Sequence, residues 1–454
     1  MEVRFYDSIE NERMKFAVVI ARSGGKWVFC KHLERDTLEL PGGHREPGES
    51  IDEAAERELR EETGALDFSI KPVCIYSVTG KNRVNSSGEE TFGMLYTAEI
   101  TKFGELSSEI EHIVLTEELP QNWTYPEIQP RLIAEAQRCH MKIMLIATGG
   151  TIASSDSGSG LSPEMSAEHL LSGISVEAEV HAVQPFSLDS TNLTPEHWTQ
   201  LAALIRDSWS DYDGFVITHG TDTMAYGAAA LSCLIQNPDK PVVFTGSQLP
   251  MDEPGSDAPG NLTDAFRCAG QGSGGVWVCF NGRVISGRAA RKVHTTDFDA
   301  FRGFEPQDEQ TVEEFCAGSR NADGGTVFYN RLDSKAAVLK LTPGLSPELV
   351  HDLGTHVNAL IIEGFGMGGI PDNNGLSQVI EVLIACGVRV IMTTQVFRGG
   401  CDLSVYEVGQ SAQKLGVIPA AGMTTEYAVM RAMWALAYSY TPEDFRKLFL
   451  DERN

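Results

Sequence analysis

The sequence has no apolar run approaching the ~20 residues that cross a bilayer, so no transmembrane helix is expected. Its first residues, MEVRFYDSIENERMKF, mix acids with bases and lack a continuous apolar stretch, which argues against a secretory signal peptide. No C-x-x-C pair occurs among the nine cysteines (Cys30, Cys74, Cys139, Cys233, Cys268, Cys279, Cys316, Cys386 and Cys401). Their odd number and scatter argue against a disulfide framework or a zinc ribbon, and point to free thiols in the cytoplasm. Basic side chains are scarce: 36 Lys and Arg face 63 Asp and Glu, a net charge of −27. Such a field repels polyanions, so neither nucleic acid nor an anionic membrane surface is an expected partner. Internal repeats and low-complexity tracts are also missing.

What is present is 454 residues with a 42% hydrophobic share, enough for two or three domains with sizeable cores. The texture changes at Met141. Before it, FAVVIARSGGKWVFC (16–30) reads as a hairpin, residues 50–63 as a helix, 73–79 and 92–100 as strands, and RLIAEAQRCH (131–140) as a short amphipathic helix. After it, KIMLIA, DGFVITHG, KPVVFTG and GVWVCF are compact apolar runs separated by helical patterns such as PEHWTQLAALIRDSW, the texture of a mostly parallel α/β sheet. AVLKLTPG, VNALIIEGFG and GVRVIMTTQ start a second α/β block near Ala337, and the polar segment 300–336 is the candidate linker. MKIMLIATGGTIAS (141–154) thus reads as the start of a second protein. The expected domains are 1–140, 141–325 and 337–454.

Residues 42–66, GGHREPGESIDEAAERELREETGAL, carry the first chemistry. Ser50 and Glu53 form a capping-box pair that starts a helix at Ser50. Glu58, Glu61 and Glu62 then fall at i, i+3 and i+4 on one face. Like charges so close call for a neutralising hard cation, Mg²⁺ or Mn²⁺, bound through oxygen. Arg57 is placed to pair with Glu49, pinning the loop to the helix, and Gly42 and Gly43 let the backbone approach. The string from Gly43 through Glu49 and Arg57-Glu58-Leu59 to Glu61-Glu62 and Gly64 resembles the Nudix box. The resemblance covers about residues 1–140 and implies an α/β/α sandwich that hydrolyses a nucleoside diphosphate derivative. It also implies metal ligands at Glu58, Glu61, Glu62 and the Gly42 carbonyl, with Glu58 a candidate base. Glu89 or Glu90, near a later strand, is a further candidate ligand or base. Ala65 stands where the box prefers a bulky aliphatic, a packing position.

TGGTIA (148–153) presents Thr151 after a strand and a glycine turn, without the Lys-Ser/Thr ending of a P-loop. FVITHGTDTMAYGAAAL (215–231) repeats the design with Thr221 and Asp222, and RAARKVHTTDFDAF (288–301) supplies Lys292. Loops beyond the carboxyl ends of parallel strands share one cleft. A threonine hydroxyl needs a base to act as nucleophile, and a lysine serves once burial lowers its pKa. Asp222 would position the pair and accept from a substrate ammonium.

These segments, with LDSTNLTPEHW (188–198) and TGSQLP (245–250), resemble the bacterial L-asparaginase family over roughly 141–454. The resemblance implies a larger N-terminal and a smaller C-terminal α/β domain, and hydrolysis of L-asparagine through an acyl-enzyme without a cofactor. In that scheme Thr151 is the first nucleophile. Thr221, Asp222 and Lys292 relay protons and activate water, while Asp189 and Ser190 hold the substrate's α-amino and α-carboxylate groups. It also implies a cytoplasmic type I-like homodimer or homotetramer. One departure stands out: Leu161 lies where many relatives carry a lid tyrosine, and no tyrosine occurs between Thr151 and Tyr212.

GFGMGG (364–369) satisfies a dinucleotide pattern, but Ile370-Pro371 follows where a helix should start, so it reads as a turn. His219 reads as scaffolding, and MTTEYAVMRAMW (423–434) as core. Two rival functions compete with a bifunctional hydrolase. In one, the Nudix-like half only senses a nucleotide and regulates the amidase. In the other, the second half is part of an amidotransferase serving glutamyl-tRNA.

Overall fold

A computed structural model describes every residue except 7, 82–86, 107–108, 140, 157–160, 164, 177, 319–324, 372–373 and 452–454. The chain divides into two compact units, Met1–His140 and Met141–Asn454.

In the first unit the strands run in the spatial order Glu2–Tyr6, Ala65–Thr79, Thr91–Phe103, Met14–Ser23, Lys26–His32, Leu38–Glu39. Gly42–His44 pairs onto Met14–Ser23, and Ile110–Thr116 onto Lys26–His32. Met14–Ser23 and Thr91–Phe103 pair in parallel, while the 16–30 hairpin is antiparallel, as its turn requires. The strand period of two sends Ala17, Val19 and Ala21 to one face, where they pack with Ala54, Ala55 and Leu59 of the Ile51–Thr63 helix. Ile20, Trp27 and Phe29 take the other face, against Leu132, Ile133 and Ala136 of the Gln129–Cys139 helix. The result is the α/β/α sandwich.

The Ile51–Thr63 helix starts as its capping box dictates. Ser50 Oγ accepts from Glu53 N at 3.2 Å, and Glu53 Oε2 accepts from Ser50 N at 2.8 Å. It stops at Gly64, whose φ of 70° is the left-handed value that ends helices without strain in glycine. Ala65 is 2% exposed and joins the core, whereas Leu66 is 60% exposed, so the smaller residue fills the packing position.

The second unit holds a seven-stranded sheet ordered Glu179–Val183, Lys142–Ala147, Gly214–Thr218, Pro241–Thr245, Gly275–Phe280, Arg283–Ser286, Glu309–Thr311. The first five strands are parallel, and the last two return antiparallel. A four-stranded parallel sheet follows: Ala336–Lys340, Ala359–Gly364, Arg389–Thr394, Ile418–Pro419.

One expectation needs correction here. The segment 300–336 is no plain linker: Phe301 and Phe315 are buried, and strand Val327–Phe328 pairs with Ile235–Gln236 of the larger lobe. The last part of the chain also packs onto the larger lobe. The Thr425–Tyr438 helix is buried along nearly its whole length and shares one core with the Met224–Leu234 helix, through residues such as Met430, Trp434 and Ala228. A helix buried on nearly every side needs partners on both sides, and the two lobes supply them. Among the described residues no helix is long and apolar enough to cross a membrane.

Candidate active sites

At the carboxyl ends of the parallel strands, three loops meet backbone to backbone. Gly149 and Gly150 follow the Lys142–Ala147 strand with φ of 101° and 78°, values that L side chains rarely adopt. A Cβ on Gly149 would overlap the Leu188 backbone, one on Gly150 the Gly220 backbone, and one on Gly220 would press Ser190 Oγ at 2.5 Å. Hydrogen bonds fix the approach. Gly150 N donates to Leu188 O at 3.0 Å, Thr148 N to Thr218 O at 3.1 Å, and Thr223 Oγ1 to Ser190 O at 2.8 Å. The glycines therefore draw the Thr151, Asp189–Ser190 and Thr221–Asp222 segments into one place.

Thr151 opens a 3-10 turn, Thr151–Ala153, and its hydroxyl has no hydrogen-bond partner among the described residues. Lys292, at the end of strand Ala290–Lys292, reaches the second loop: its Nζ donates to Thr221 Oγ1 at 2.8 Å and to Asp222 Oδ1 at 2.7 Å. Thr221 is 6% exposed, so this amine and hydroxyl meet with little water between them. The geometry couples a proton carrier to a hydroxyl and anchors the amine on a carboxylate.

Asp189 caps the Ser190–Asn192 turn, and its Oδ1 accepts from Thr191 Oγ1 at 2.7 Å and Thr191 N at 2.8 Å. Those bonds hold its carboxyl below the usual aspartate range. Ser190 is 2% exposed. Of the lid, residues 157–160 lie outside the described residues; Leu161 begins a strand, Leu161–Pro163, paired with Ser154–Asp156. His219 is scaffolding: fully buried, it donates from Nδ1 to Gly220 O at 2.8 Å and accepts from Trp198 Nε1 at 3.4 Å. Burial pushes its pKa down to about 4.

Sequence reasoning passed over Asp257. Its Oδ1 accepts from the amides of Gln248 and Leu249 at 3.0 and 3.1 Å, so it shapes the TGSQLP loop that places Gln248 3.5 Å from Thr221 Oγ1. Only those backbone donors would have revealed it, and they are invisible in a sequence.

In the first unit Arg57 grips Glu49 with both ends of its guanidinium, Nε to Oε1 at 2.9 Å and Nη2 to Oε2 at 3.2 Å, as the motif suggests. Its Nη1 also reaches Glu58 Oε1 at 2.8 Å and Glu61 Oε2 at 3.2 Å. Glu62 Oε2 instead accepts from the Gly42 amide at 2.9 Å. The expected ligands thus share a helix face without converging, and among the described residues no group of three or more acidic, His or Cys side chains closes into a metal cage. Arg57 draws two carboxylates one way and the Gly42 amide draws the third another, and Gly42 meets the face through its N–H. Glu90 does not join them: its Oε1 accepts from Tyr6 and Ser77, both at 2.8 Å.

The donor chemistry nevertheless fits a hard divalent cation. Burial raises the Glu58 carboxyl against the pull of Arg57, and burial pushes Glu62 up to about 8 against the pull of the Gly42 amide. Glu58 shares Arg57 with Glu49 and Glu61, and Glu62 is met by an amide alone. The face thus carries more carboxylates than the one guanidinium offsets, a donor set that suits a cation with oxygen ligands.

An α/β/α sandwich with a carboxylate helix, followed by a two-lobed α/β unit with threonine loops at its strand ends, defines a two-part hydrolase architecture. Comparison with known proteins agrees. Residues 11–134 match the NUDIX domain, residues 142–317 the family described as Asparaginase, N-terminal, and residues 335–449 the Glutaminase/Asparaginase C-terminal domain. An L-asparaginase of Thermococcus kodakarensis is 40% identical over 324 residues, covering 69% of this chain and 98% of the relative. L-asparaginase 1 of Escherichia coli K12 is 33% identical, covering 67% and 94%. A glutamyl-tRNA(Gln) amidotransferase component of Pyrococcus abyssi is 33% identical, covering 75% and 82%. The solved thermostable L-asparaginase from Thermococcus kodakarensis superposes with a TM-score of 0.63 at 37% identity, covering 69% of this chain and 98% of that one. L-asparaginase I from Vibrio cholerae gives 0.60 at 28% identity, covering 69% and 97%. The chain belongs to the L-asparaginase family, with a NUDIX domain ahead of its two asparaginase domains.

Proposed function

We propose that the Met141–Asn454 unit hydrolyses L-asparagine to L-aspartate and ammonia, as the names of its relatives suggest for those proteins. Thr151 Oγ1 attacks the carboxamide carbon, its hydroxyl proton passes to the amide nitrogen, the C–N bond breaks with release of ammonia, and an ester to Thr151 remains. Water then cleaves that ester, giving a proton to the Thr221–Lys292 pair, which Asp222 holds in place, and the proton returns to Thr151 Oγ1 as the ester C–O bond breaks. Asp189 and Ser190 bind the α-amino and α-carboxylate groups, with Asp222 a second acceptor for the ammonium. The observation that carries this reading is the pair of short contacts from Lys292 to Thr221 and Asp222. Ammonia release from asparagine and glutamine by the intact protein, beside Thr151→Ala, tests it. Turnover lost in the variant supports it; equal turnover in both proteins removes Thr151 from the mechanism.

For the first unit we propose hydrolysis of a nucleoside diphosphate derivative. Glu58, Glu61, Glu62 and the Gly42 carbonyl would hold Mg²⁺ or Mn²⁺, which when bound supplies charge neutralisation at phosphate and activates water. Glu58 would accept the water proton. We also propose a cytoplasmic location, which a similar solved structure described as a probable cytoplasmic L-asparaginase from Campylobacter jejuni supports, and assembly as a homodimer or homotetramer.

Kinship with the Pyrococcus abyssi amidotransferase component favours one second reading, transfer of ammonia to glutamyl-tRNA. The net charge of −27 disfavours tRNA, and turnover of free asparagine without a partner decides against it.

A further inference from the structure

The Met1–His140 unit contains a cavity of about 340 Å³ whose rim includes Gly42, Gly43 and Glu62. Anything filling it therefore has one end at the carboxylate helix. Phe16, Tyr76 and Tyr125 line it with aromatic surface, and Val18 and Leu40 add aliphatic surface. Glu39, Glu62 and Glu109 also face it, but Arg35 pairs with Glu39 and His32 with Glu109, so the polar groups of the wall suit the hydrogen-bonding edge of an uncharged heterocycle. The volume suits a two-ring heterocycle with part of its sugar.

Two donors in the wall have no protein partner among the described residues. Tyr76 is 5% exposed, and its ring lies so flat on the Thr91–Phe103 strand that a Cβ on Gly93 would come within 2.6 Å of its hydroxyl oxygen. That hydroxyl makes no hydrogen bond among the described residues and faces the cavity, where a ligand or water can meet it. Gln129, 5% exposed, accepts from Leu40 N through Oε1 at 3.2 Å. The backbone donor fixes which way the amide points, leaving Nε2 to donate. Opposite in kind is Glu39, 7% exposed, whose two oxygens both accept from Arg35 Nη1, at 2.8 and 2.9 Å, with lone pairs to spare.

We propose that this cavity takes the base of a nucleoside phosphate, a purine with a ring carbonyl beside a ring N–H. The carbonyl accepts from Gln129 and Tyr76, the N–H donates to Glu39, and the phosphates lie toward Glu58, Glu61 and Glu62. This deepens the hydrolase reading of the first unit and rests on it for the placement of the phosphates.

Binding calorimetry on the full chain, with Mg²⁺ present, tests it, since monophosphate probes have no diphosphate bond to lose. The probes are guanosine, inosine, adenosine and cytidine 5′-monophosphates and ribose 5-phosphate. Guanosine and inosine monophosphates should bind at least about tenfold tighter than the other three. Tyr76→Phe keeps the ring and should weaken those two by about fivefold, without changing ribose 5-phosphate. Gln129→Glu keeps the acceptor for Leu40 N, turns the donor into an acceptor, and should abolish the preference. Equal binding of all probes, a preference for adenosine or cytidine, or wild-type binding by both variants overturns the proposal. Hydrolysis with Mg²⁺ separates the two claims. Turnover without base preference sinks the pocket alone, whereas guanosine-selective binding with no turnover of any nucleoside diphosphate derivative sinks the catalytic reading alone.

Discussion

Lys292 Nζ donates to Asp222 Oδ1 at 2.7 Å although 70 residues separate the two in the chain. With Thr221 Oγ1 at 2.8 Å on the same amine, the three groups form one hydrogen-bonded cluster, to which the proposed mechanism assigns proton transfer. Lys292→Met is expected to lower kcat for ammonia release about 10²- to 10⁴-fold. Thr221→Val should cost a similar factor, and the double variant little more, because members of one relay fail together. Multiplying losses in the double variant would show that the two act independently.

The glycine pair ahead of Thr151 offers a steric test. Gly150→Ala demands a φ of 78° from an L residue and drives a methyl into the Gly220 backbone. A melting temperature lowered by the equivalent of about 2–4 kcal/mol is expected, together with a fall in kcat, because the Thr151 and Thr221 loops are pushed apart. Gly260→Ala is the control. Gly260 sits exposed in the Ala258–Gln271 helix with open space around it, so alanine there should be neutral or stabilising by up to about 1 kcal/mol. Equal behaviour of the two variants would discard the wedge.

Much of this was legible in the sequence. Capping at Ser50, the Glu49–Arg57 clamp and the parallel strands follow from spacing and apolar runs, because these are local or periodic signals. Lys292 was legible as a partner of Thr221 only through the sequence segments around both, since nothing local links residues 70 apart. Three things were hidden. Asp257 acts through backbone amides, Tyr76 and Gln129 face one cavity from a strand and a helix distant in sequence, and Thr425–Tyr438 serves two lobes. Each depends on tertiary packing, which leaves no pattern in a single sequence. The carboxylates of the first motif show the converse: their shared face was legible, while the pull of Arg57 and of the Gly42 amide was not.

His219 predicts an acid limit for the second unit. Its folded pKa of about 4 lies below the ordinary 6.5 because burial disfavours the cation. Above pH 6.5 both folded and unfolded chains carry it neutral, and its contribution is complete. As pH falls from 6.5 toward 4 the unfolded chain takes up a proton that the folded one refuses, and stability drops by on the order of 3 kcal/mol in all. His219→Asn retains a donor for Gly220 O and removes the titration. Its melting temperature should therefore fall less steeply than that of the wild type between pH 6.5 and 4, when each is referred to its own value at pH 7.5. Parallel curves would place the acid sensitivity elsewhere.

The two chemistries should separate cleanly by metal and by mutation. Chelation of divalent ions with EDTA is expected to abolish nucleotide hydrolysis and to leave ammonia release unchanged, because only the carboxylate helix of the first unit calls for a cation. Glu58→Gln keeps the shape and an acceptor for Arg57 Nη1 at Oε1, but removes the charge and the basic site. Hydrolysis of nucleoside diphosphate derivatives should fall at least about 10²-fold with Mg²⁺ at saturation, the range typical for loss of a positioned base. If the wild-type protein hydrolyses no such compound while ammonia release still responds to nucleotide, the first unit senses rather than cleaves, and Glu58→Gln should then blunt the response by weakening cation and phosphate binding. Glu49→Gln adds a check on the clamp. Loss of its ion pair frees Arg57 to pair more closely with Glu58 and Glu61, so the apparent affinity for Mg²⁺ should fall. An unchanged metal requirement in that variant would show that Arg57 does not set the charge of the site.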